Sequence, residues 1–150
     1  MKRNKINEVK IVFDSKSENE SLARYICAAF CAGFNPTVEA LADIKCSVSE
    51  AVTNCVVHAY REKEGKIYLT LKSYDDASVT VTVRDRGCGI EDIARAREPL
   101  FTTDAAGERS GMGFPIMESL SERFKVVSKI GYGTCVSMQF NLNKSAQNSF

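Results

Sequence analysis

Apolar residues along this chain switch between two spacings. In 8–14 (EVKIVFD), 66–74 (KIYLTLKSY) and 78–85 (SVTVTVRD) they alternate with polar ones, the period of a strand buried on one face. The last two runs are joined by the short DDA turn and predict a β-hairpin rich in β-branched residues. KVVSKI, GYG and TCVSMQFNL (125–142) predict a second. Elsewhere the spacing lengthens to three and four. Residues 21–33 read as a helix with Leu22, Ile26, Ala29 and Phe30 inward and Gly33 at its end. Ser17 is its expected N-cap, with Glu20 as the capping-box partner. A longer helix is expected from Asn35 and Pro36 to Tyr60, with Val38, Leu41, Ile44, Val48, Val52 and Cys55 as its apolar stripe.

Between the hairpins, 91–114 reads as one or two helical turns followed by a long polar segment containing glycine, and 115–124 as a short helix. The order is strand, two helices, two strands, loop region, helix, two strands. Hairpins make the sheet mostly antiparallel, and amphipathic helices must bury their stripes against it. The expected fold class is α/β (α+β): a two-layer sandwich of a mostly antiparallel mixed sheet with helices on one face. A single domain is expected over 1–150, with its core at about 8–142 and a loose tail at 143–150.

Composition narrows the function classes. Hydrophobic residues at 44% and charged ones at 26% are in globular proportion, and a net charge of +1 gives no general electrostatic case for nucleic acid. No apolar run approaches the roughly 20 residues that span a bilayer, and no apolar signal core opens the chain, so a cytoplasmic protein is expected. Six cysteines form no CxxC pair, and the one histidine is not near a cysteine pair at zinc-ligand spacing. Buried or idle thiols are expected rather than a metal site.

Three stretches carry candidate chemistry. In SEAVTNCVVHAY (49–60), Glu50, Asn54 and His58 follow one another at i, i+4 steps, nearly opposite the apolar stripe. Alone, that pattern also describes a solvated helix face. RDRGCGI closes a strand with Asp85 and sets Gly87 and Gly89 in a tight loop, where a ligand can approach the backbone. An ordinary strand-ending turn has the same letters. RSGMGF places Gly111 and Gly113 before a helix start, where free N–H groups favour phosphate, and Arg109 adds a charged fork. GYGT, which leads into Thr134, reads by itself as a hairpin turn.

Taken in order, EAVTN, DRGCGI, RSGMGF and GYGT resemble the N box and three glycine boxes of the GHKL ATP-binding superfamily. That superfamily holds gyrase-type ATPases, mismatch-repair ATPases and histidine-kinase catalytic domains, built on the Bergerat-type ATP-binding fold. SEAVTN, EPLFTT and ERSGMGFPIMES resemble more narrowly the anti-sigma-F family of endospore-forming bacteria, which are serine protein kinases. The likeness runs from about Val9 to Phe140. Ala59 departs from it, standing where the family commonly has glycine, and Cys88 occupies an open position.

The resemblance implies roles. Asn54 would hold Mg²⁺ through its amide oxygen, and Glu50 would act as general base on the attacking hydroxyl. Asp85 would accept a hydrogen bond from the adenine amino group, with Thr134 helping to hold the base. Gly87 and Gly89 would give the purine room, and Ile90 and Met112 would be apolar walls. Residues 99–113 would form an ATP lid, with Thr103 and Ser110 among its nucleotide contacts and the N–H groups of Gly111 and Gly113 on the phosphates. Arg109 would stabilise charge on the γ-phosphoryl group. His58 is expected to be structural. The partners implied are sigma factor F, an anti-anti-sigma protein phosphorylated on serine, and a second copy of the chain through sheet-edge and first-helix surfaces. Glu20 and Arg24 would be partner contacts. The competing readings are a histidine-kinase catalytic domain, a stress-response anti-sigma kinase, and a nucleotide-gated binding module without kinase activity.

Overall fold

The computed structural model describes residues 2–61, 63–99 and 113–144. Five strands form one sheet: β1 (Lys5–Asp14), β2 (Lys66–Tyr74), β3 (Ser78–Asp85), β4 (Arg123–Lys129) and β5 (Gly133–Asn141). Their spatial order is β1-β2-β3-β5-β4, and every pairing among them is antiparallel. Between β1 and β2 the chain makes α1 (Asn19–Cys31) and α2 (Val38–Asn54). A single turn, α3 (Ile93–Ala96), follows β3, and α4 (Gly113–Leu120) precedes β4.

The alternation read from sequence sets the faces. Ile11, Leu69, Val83 and Val136 lie in one cross-strand row, and Val9, Leu71, Val81 and Met138 in the next. The helices pack on this face, where Ile44, Val48 and Val52 of α2 are fully buried. Each such side chain contributes roughly 1.5–3 kcal/mol of hydrophobic stabilisation. The result is the two-layer α+β arrangement expected, with helices on one side of the sheet.

Local details differ from the sequence reading where side chains found other partners. Helix α1 begins after Glu18 with no side-chain cap. Ser17 contributes only its carbonyl, which accepts from Glu20 N at 3.2 Å. The Glu20 carboxylate is engaged by Ser49 and Arg24, so no capping box forms. The inward stripe of α1 is Ala23, Cys27 and Cys31, with Ile26 and Phe30 packed beside it, whereas Leu22 and Ala29 are exposed. Cysteine is small enough to let α1 lie close on α2, and it displaces the larger residues from the centre of the contact. After Cys31 the chain tightens into a 3₁₀ turn, and Asn35 rather than Gly33 takes the left-handed conformation, at φ 50°. Asparagine tolerates that region better than most residues.

Helix α2 is capped by Thr37, whose Oγ1 accepts from Ala40 N at 3.1 Å, so Pro36 sits just outside the first turn. At the other end the α-helix stops at Asn54, and Cys55–Ala59 continue as a π turn. The chain remains anchored past the last strand. Thr37 N donates to Leu142 O at 3.0 Å, and Lys144 Nζ pairs with Asp43 at 2.9 Å. The first two residues of the stretch expected to be loose, Asn143 and Lys144, therefore belong to the ordered fold, and 145–150 lie outside the described residues.

Candidate nucleotide site

The helix that carries Glu50 and Asn54 is the middle element of the helical layer. Its apolar stripe, Ile44, Val48, Ala51 and Val52, is buried, which leaves Glu50 and Asn54 half-buried on a flank. That flank meets the first residue of α4. A Cβ placed on Gly113 would lie 3.2 Å from both amide atoms of Asn54 and 3.3 Å from Glu50 Oε2. The acid and the amide thus face the same backbone from one turn apart, and the missing side chain at 113 is what admits them.

The π turn after Asn54 changes the rest of the stripe. Hydrogen bonding from Tyr60 N to Cys55 O at 3.1 Å widens the winding and rotates later side chains out of the regular i, i+4 line. It also aims the Ala59 carbonyl at the loop after β3, where Cys88 N donates to it at 3.0 Å. Gly87 passes so close that a Cβ there would be 2.4 Å from Ala59 O. His58 uses its backbone carbonyl in the same contact, accepting from Cys88 Sγ at 3.4 Å.

Asp85 ends β3 on the inward side, and only 5% of it is exposed. Its Oδ1 accepts from Gly87 N at 2.9 Å and Thr134 N at 3.2 Å, and Cys55 Sγ donates to Oδ2 at 3.5 Å. Burial pushes the carboxyl above its ordinary value, and the two backbone donors and the thiol partly oppose that shift. Gly89 holds φ at +79°, and a Cβ there would strike Lys129 O at 2.4 Å, so the loop can lie on the β4–β5 turn only with glycine. Gly131 N completes the join by donating to Cys88 O at 2.9 Å.

Ser128 is a residue of this candidate site that the sequence reading did not name. Its hydroxyl accepts from Ile90 N at 2.8 Å, contacts Thr134 Oγ1 at 2.8 Å and donates to Gly133 O at 3.0 Å. The signal was present. Phe124, Val126 and Ser128 share one face of β4, and Ser128 stands directly across from Thr134. With Asp85, this makes three polar residues at core-facing registers at one end of the sheet.

The chain therefore brings together Glu50, Asn54 and Gly113 at one junction, and Asp85, Gly87, Gly89, Ile90 and Thr134 at another. Cys55, the residue after Asn54, connects the two through Asp85. Thr103, Arg109, Ser110, Gly111 and Met112 lie outside the described residues. Glu20 and Arg24 form an ion pair at 2.9 Å where α1 meets α2. Among the described residues no cluster of three or more His, Cys, Asp or Glu could hold a metal. The half-buried Asn54 amide offers one hard oxygen, which suits Mg²⁺, an ion that keeps several waters and uses phosphate for much of its coordination. The thiols are free, with Cys27, Cys31 and Cys55 buried. No described helix is long and apolar enough to cross a membrane.

Comparison with known proteins agrees with this geometry. The family of histidine kinase-like ATPase domains matches residues 13–140. The anti-sigma F factor of Caldanaerobacter subterraneus is 49% identical over 133 residues, covering 88% of this chain and 92% of the relative. That of Bacillus subtilis is 45% identical over 140 residues, 93% and 95% of the two chains. Among solved structures, the RsbU and RsbW domains of a Mycobacterium tuberculosis protein superpose with a TM-score of 0.68 at 20% identity, over 97% of this chain and 35% of that longer one. A histidine kinase domain from Erythrobacter litoralis gives 0.53 at 27%, over 70% and 46%. With an ATPase-family match over most of its length and anti-sigma F relatives close to half identical, the chain belongs to the histidine kinase-like ATPase family, in its anti-sigma F factor branch.

Proposed function

We propose that this chain is an anti-sigma factor that binds sigma factor F and, with Mg-ATP, phosphorylates a serine of an anti-anti-sigma protein. The observation that carries the kinase reading is the convergence of Glu50 and Asn54 on the N-terminal residue of α4. An acid that can accept a proton, an amide oxygen that can face a cation and a helix start that can face phosphate are the groups phosphoryl transfer needs.

In this reading Mg²⁺, when bound, supplies charge neutralisation for the phosphates, and Asn54 is the protein oxygen that holds it. Glu50 takes the proton of the incoming serine hydroxyl. The serine oxygen forms a bond to the γ-phosphorus as the bond from that phosphorus to the β–γ bridging oxygen breaks, leaving ADP. Asp85 accepts from the amino group of adenine, with Ser128 and Thr134 fixing the loop beside it. Arg109, Thr103, Ser110, Gly111 and Met112 complete the nucleotide contacts. The lid assignment rests on the family resemblance alone.

The sigma-binding half of the reading is supported by the name of its relatives and by the outer face of α1, where Leu22 and Tyr25 are uncovered. The edge strand β1 leaves Ile6 and Val12 exposed as well, which supports pairing of two copies along this side. Sigma factors work beside the chromosome, so the setting proposed is the cytoplasm. The deciding experiment incubates the protein with γ-labelled ATP and a candidate anti-anti-sigma protein. Label on a serine supports the kinase, label on histidine redirects it to the histidine-kinase branch, and binding without transfer leaves a nucleotide-gated module.

A further inference from the structure

Glu20 lies at the meeting of α1 and α2, and its Oε1 is shared. Ser49 Oγ donates to it, and Arg24 Nε pairs with it at 2.9 Å. Arg24 also donates to Ser21 Oγ at 3.0 Å, which holds the guanidinium along α1. Ser49 immediately precedes Glu50, and its carbonyl accepts from Thr53 Oγ1 at 2.7 Å, a bond from the residue just before Asn54. Both proposed site residues thus have a neighbour in sequence that is tied to this junction.

The geometry matters because α2 has neighbours on both flanks. Consecutive helix residues point about 100° apart, so a bond that fixes Ser49 against α1 fixes the rotation of α2 and hence the direction of Glu50 towards Gly113. A bond from a Thr hydroxyl back to the carbonyl four residues earlier commonly bends a helix, and here its donor, Thr53, stands two residues before the π turn begins at Cys55. The turn that bears Glu50 and Asn54 is held from α1 through one carboxylate.

We infer that Ser49 is a positioning residue for Glu50, and that the Ser49–Glu20–Arg24 chain couples the outer surface of α1 to phosphoryl transfer. A ligand carboxylate that draws Arg24 away leaves Glu20 to Ser49 alone and changes how α2 is held. The inference rests on the proposed role of Glu50. It gives the first helix a part in setting the transfer rate, beyond contact with a partner.

The test compares Ser49→Ala and Ser49→Thr, using the full chain, Mg-ATP and saturating anti-anti-sigma substrate. Ser49→Ala should lower kcat by about tenfold, with KM for ATP and the melting temperature near the parent values, and Ser49→Thr should restore most of the rate. Glu20→Ala should lower kcat similarly even where substrate saturates, and the double variant should be no slower than either single one, because both remove the same bond. A parent-like kcat for Ser49→Ala, or losses that multiply in the double variant, overturns the inference. Glu50→Gln is run alongside. If it transfers phosphate normally, the reading of Glu50 has failed, whereas an inactive Glu50→Gln with a normal Ser49→Ala removes only the coupling.

Discussion

Gly113→Ala is the smallest change that probes the proposed catalytic junction. A methyl at this position would sit 3.2 Å from the Asn54 amide atoms and 3.3 Å from Glu50 Oε2, a few tenths of an ångström inside comfortable contact. All three atoms are at the ends of side chains, so they can give way without moving backbone. Pushing a side chain about 30° from its rotamer costs roughly 0.5–1.5 kcal/mol. Against that, replacing glycine by alanine in a helix returns up to about 1 kcal/mol, less in a first turn. The two effects nearly cancel, so thermal unfolding should shift by only a few degrees in either direction. Function should not be so tolerant. A misplacement near 1 Å can cost about 10²-fold in rate, so a displacement of a few tenths at both Glu50 and Asn54 should cost on the order of tenfold in phosphoryl transfer. The assay pairs a melting curve with initial rates of label transfer well below the melting temperature. A variant that is folded and transfers phosphate at the parent rate would refute the claim that these groups work against this backbone.

Asn54→Ala should weaken ATP binding measured with Mg²⁺ and leave binding measured in chelator nearly unchanged; equal losses in both would remove the metal role. Asp85→Asn should abolish nucleotide binding, and the pH dependence of its stability relative to the parent has a defined sign. Because burial raises the folded carboxyl above 3.8, the native state holds that proton more tightly than the unfolded one, so the acid's contribution falls as pH rises through the raised value. Relative to the parent, the asparagine variant should therefore stand best at neutral pH and lose ground as pH falls towards 3.8, and a relative gain on acidification contradicts the burial argument. Thiol titration of the folded protein should label Cys46 and Cys88 first, because both are exposed. Cys27 and Cys31, pushed up by burial to about 12 and about 11, should react only after unfolding. Fast labelling of either would mean that α1 does not stay docked.

Regular elements were legible where one periodicity acted alone. The β2–β3 hairpin follows the alternation of KIYLTLKSY and SVTVTVRD residue for residue, because one buried face fixes the register. Helix ends were less legible, since the generic preferences of Ser17, Gly33 and Pro36 were not the ones the chain used: Asn35 took the left-handed turn and Thr37 the cap. Glu20 was taken by Ser49, so the box at Ser17 had no second member. The stripe on α1 was misread because cysteine counts weakly as apolar, yet Cys27 and Cys31 are at the centre of the contact. At the candidate site, spacing singled out Glu50 and Asn54, which the fold brings to one backbone, and the glycine loops singled out Asp85, which it buries. The π turn left no mark in the letters, because i→i+5 bonding after Asn54 answers to the loop it meets rather than to local preference. Ser128 could have been found by asking why the inward alternation of β4 ends on a hydroxyl.

That question leads to why the candidate site lies at this end of the sheet. A sheet covered by helices on one face should be apolar at its inward registers, yet here Asp85, Thr134 and Ser128 are polar, Asp85 directly across from the buried Ile67. Left without partners, each would cost about 1–3 kcal/mol on burial. They have partners: the Asp85 carboxylate takes two backbone N–H groups and a thiol, and the Ser128 hydroxyl bridges the loop after β3 to the turn before β5. The hydrogen bonds hold two glycine loops against each other and against the π turn, where apolar packing could not have fixed their separation. Asp85 keeps a carboxylate buried at a cost in stability that an apolar residue would avoid. A fold under selection for stability alone would have closed this end with valine and leucine. Keeping it polar, partnered and rigid makes sense when a flat, hydrogen-bonding ligand must be read at one fixed depth, with Cys55, the residue after Asn54, tying Asp85 to the helix that carries the acid and the amide.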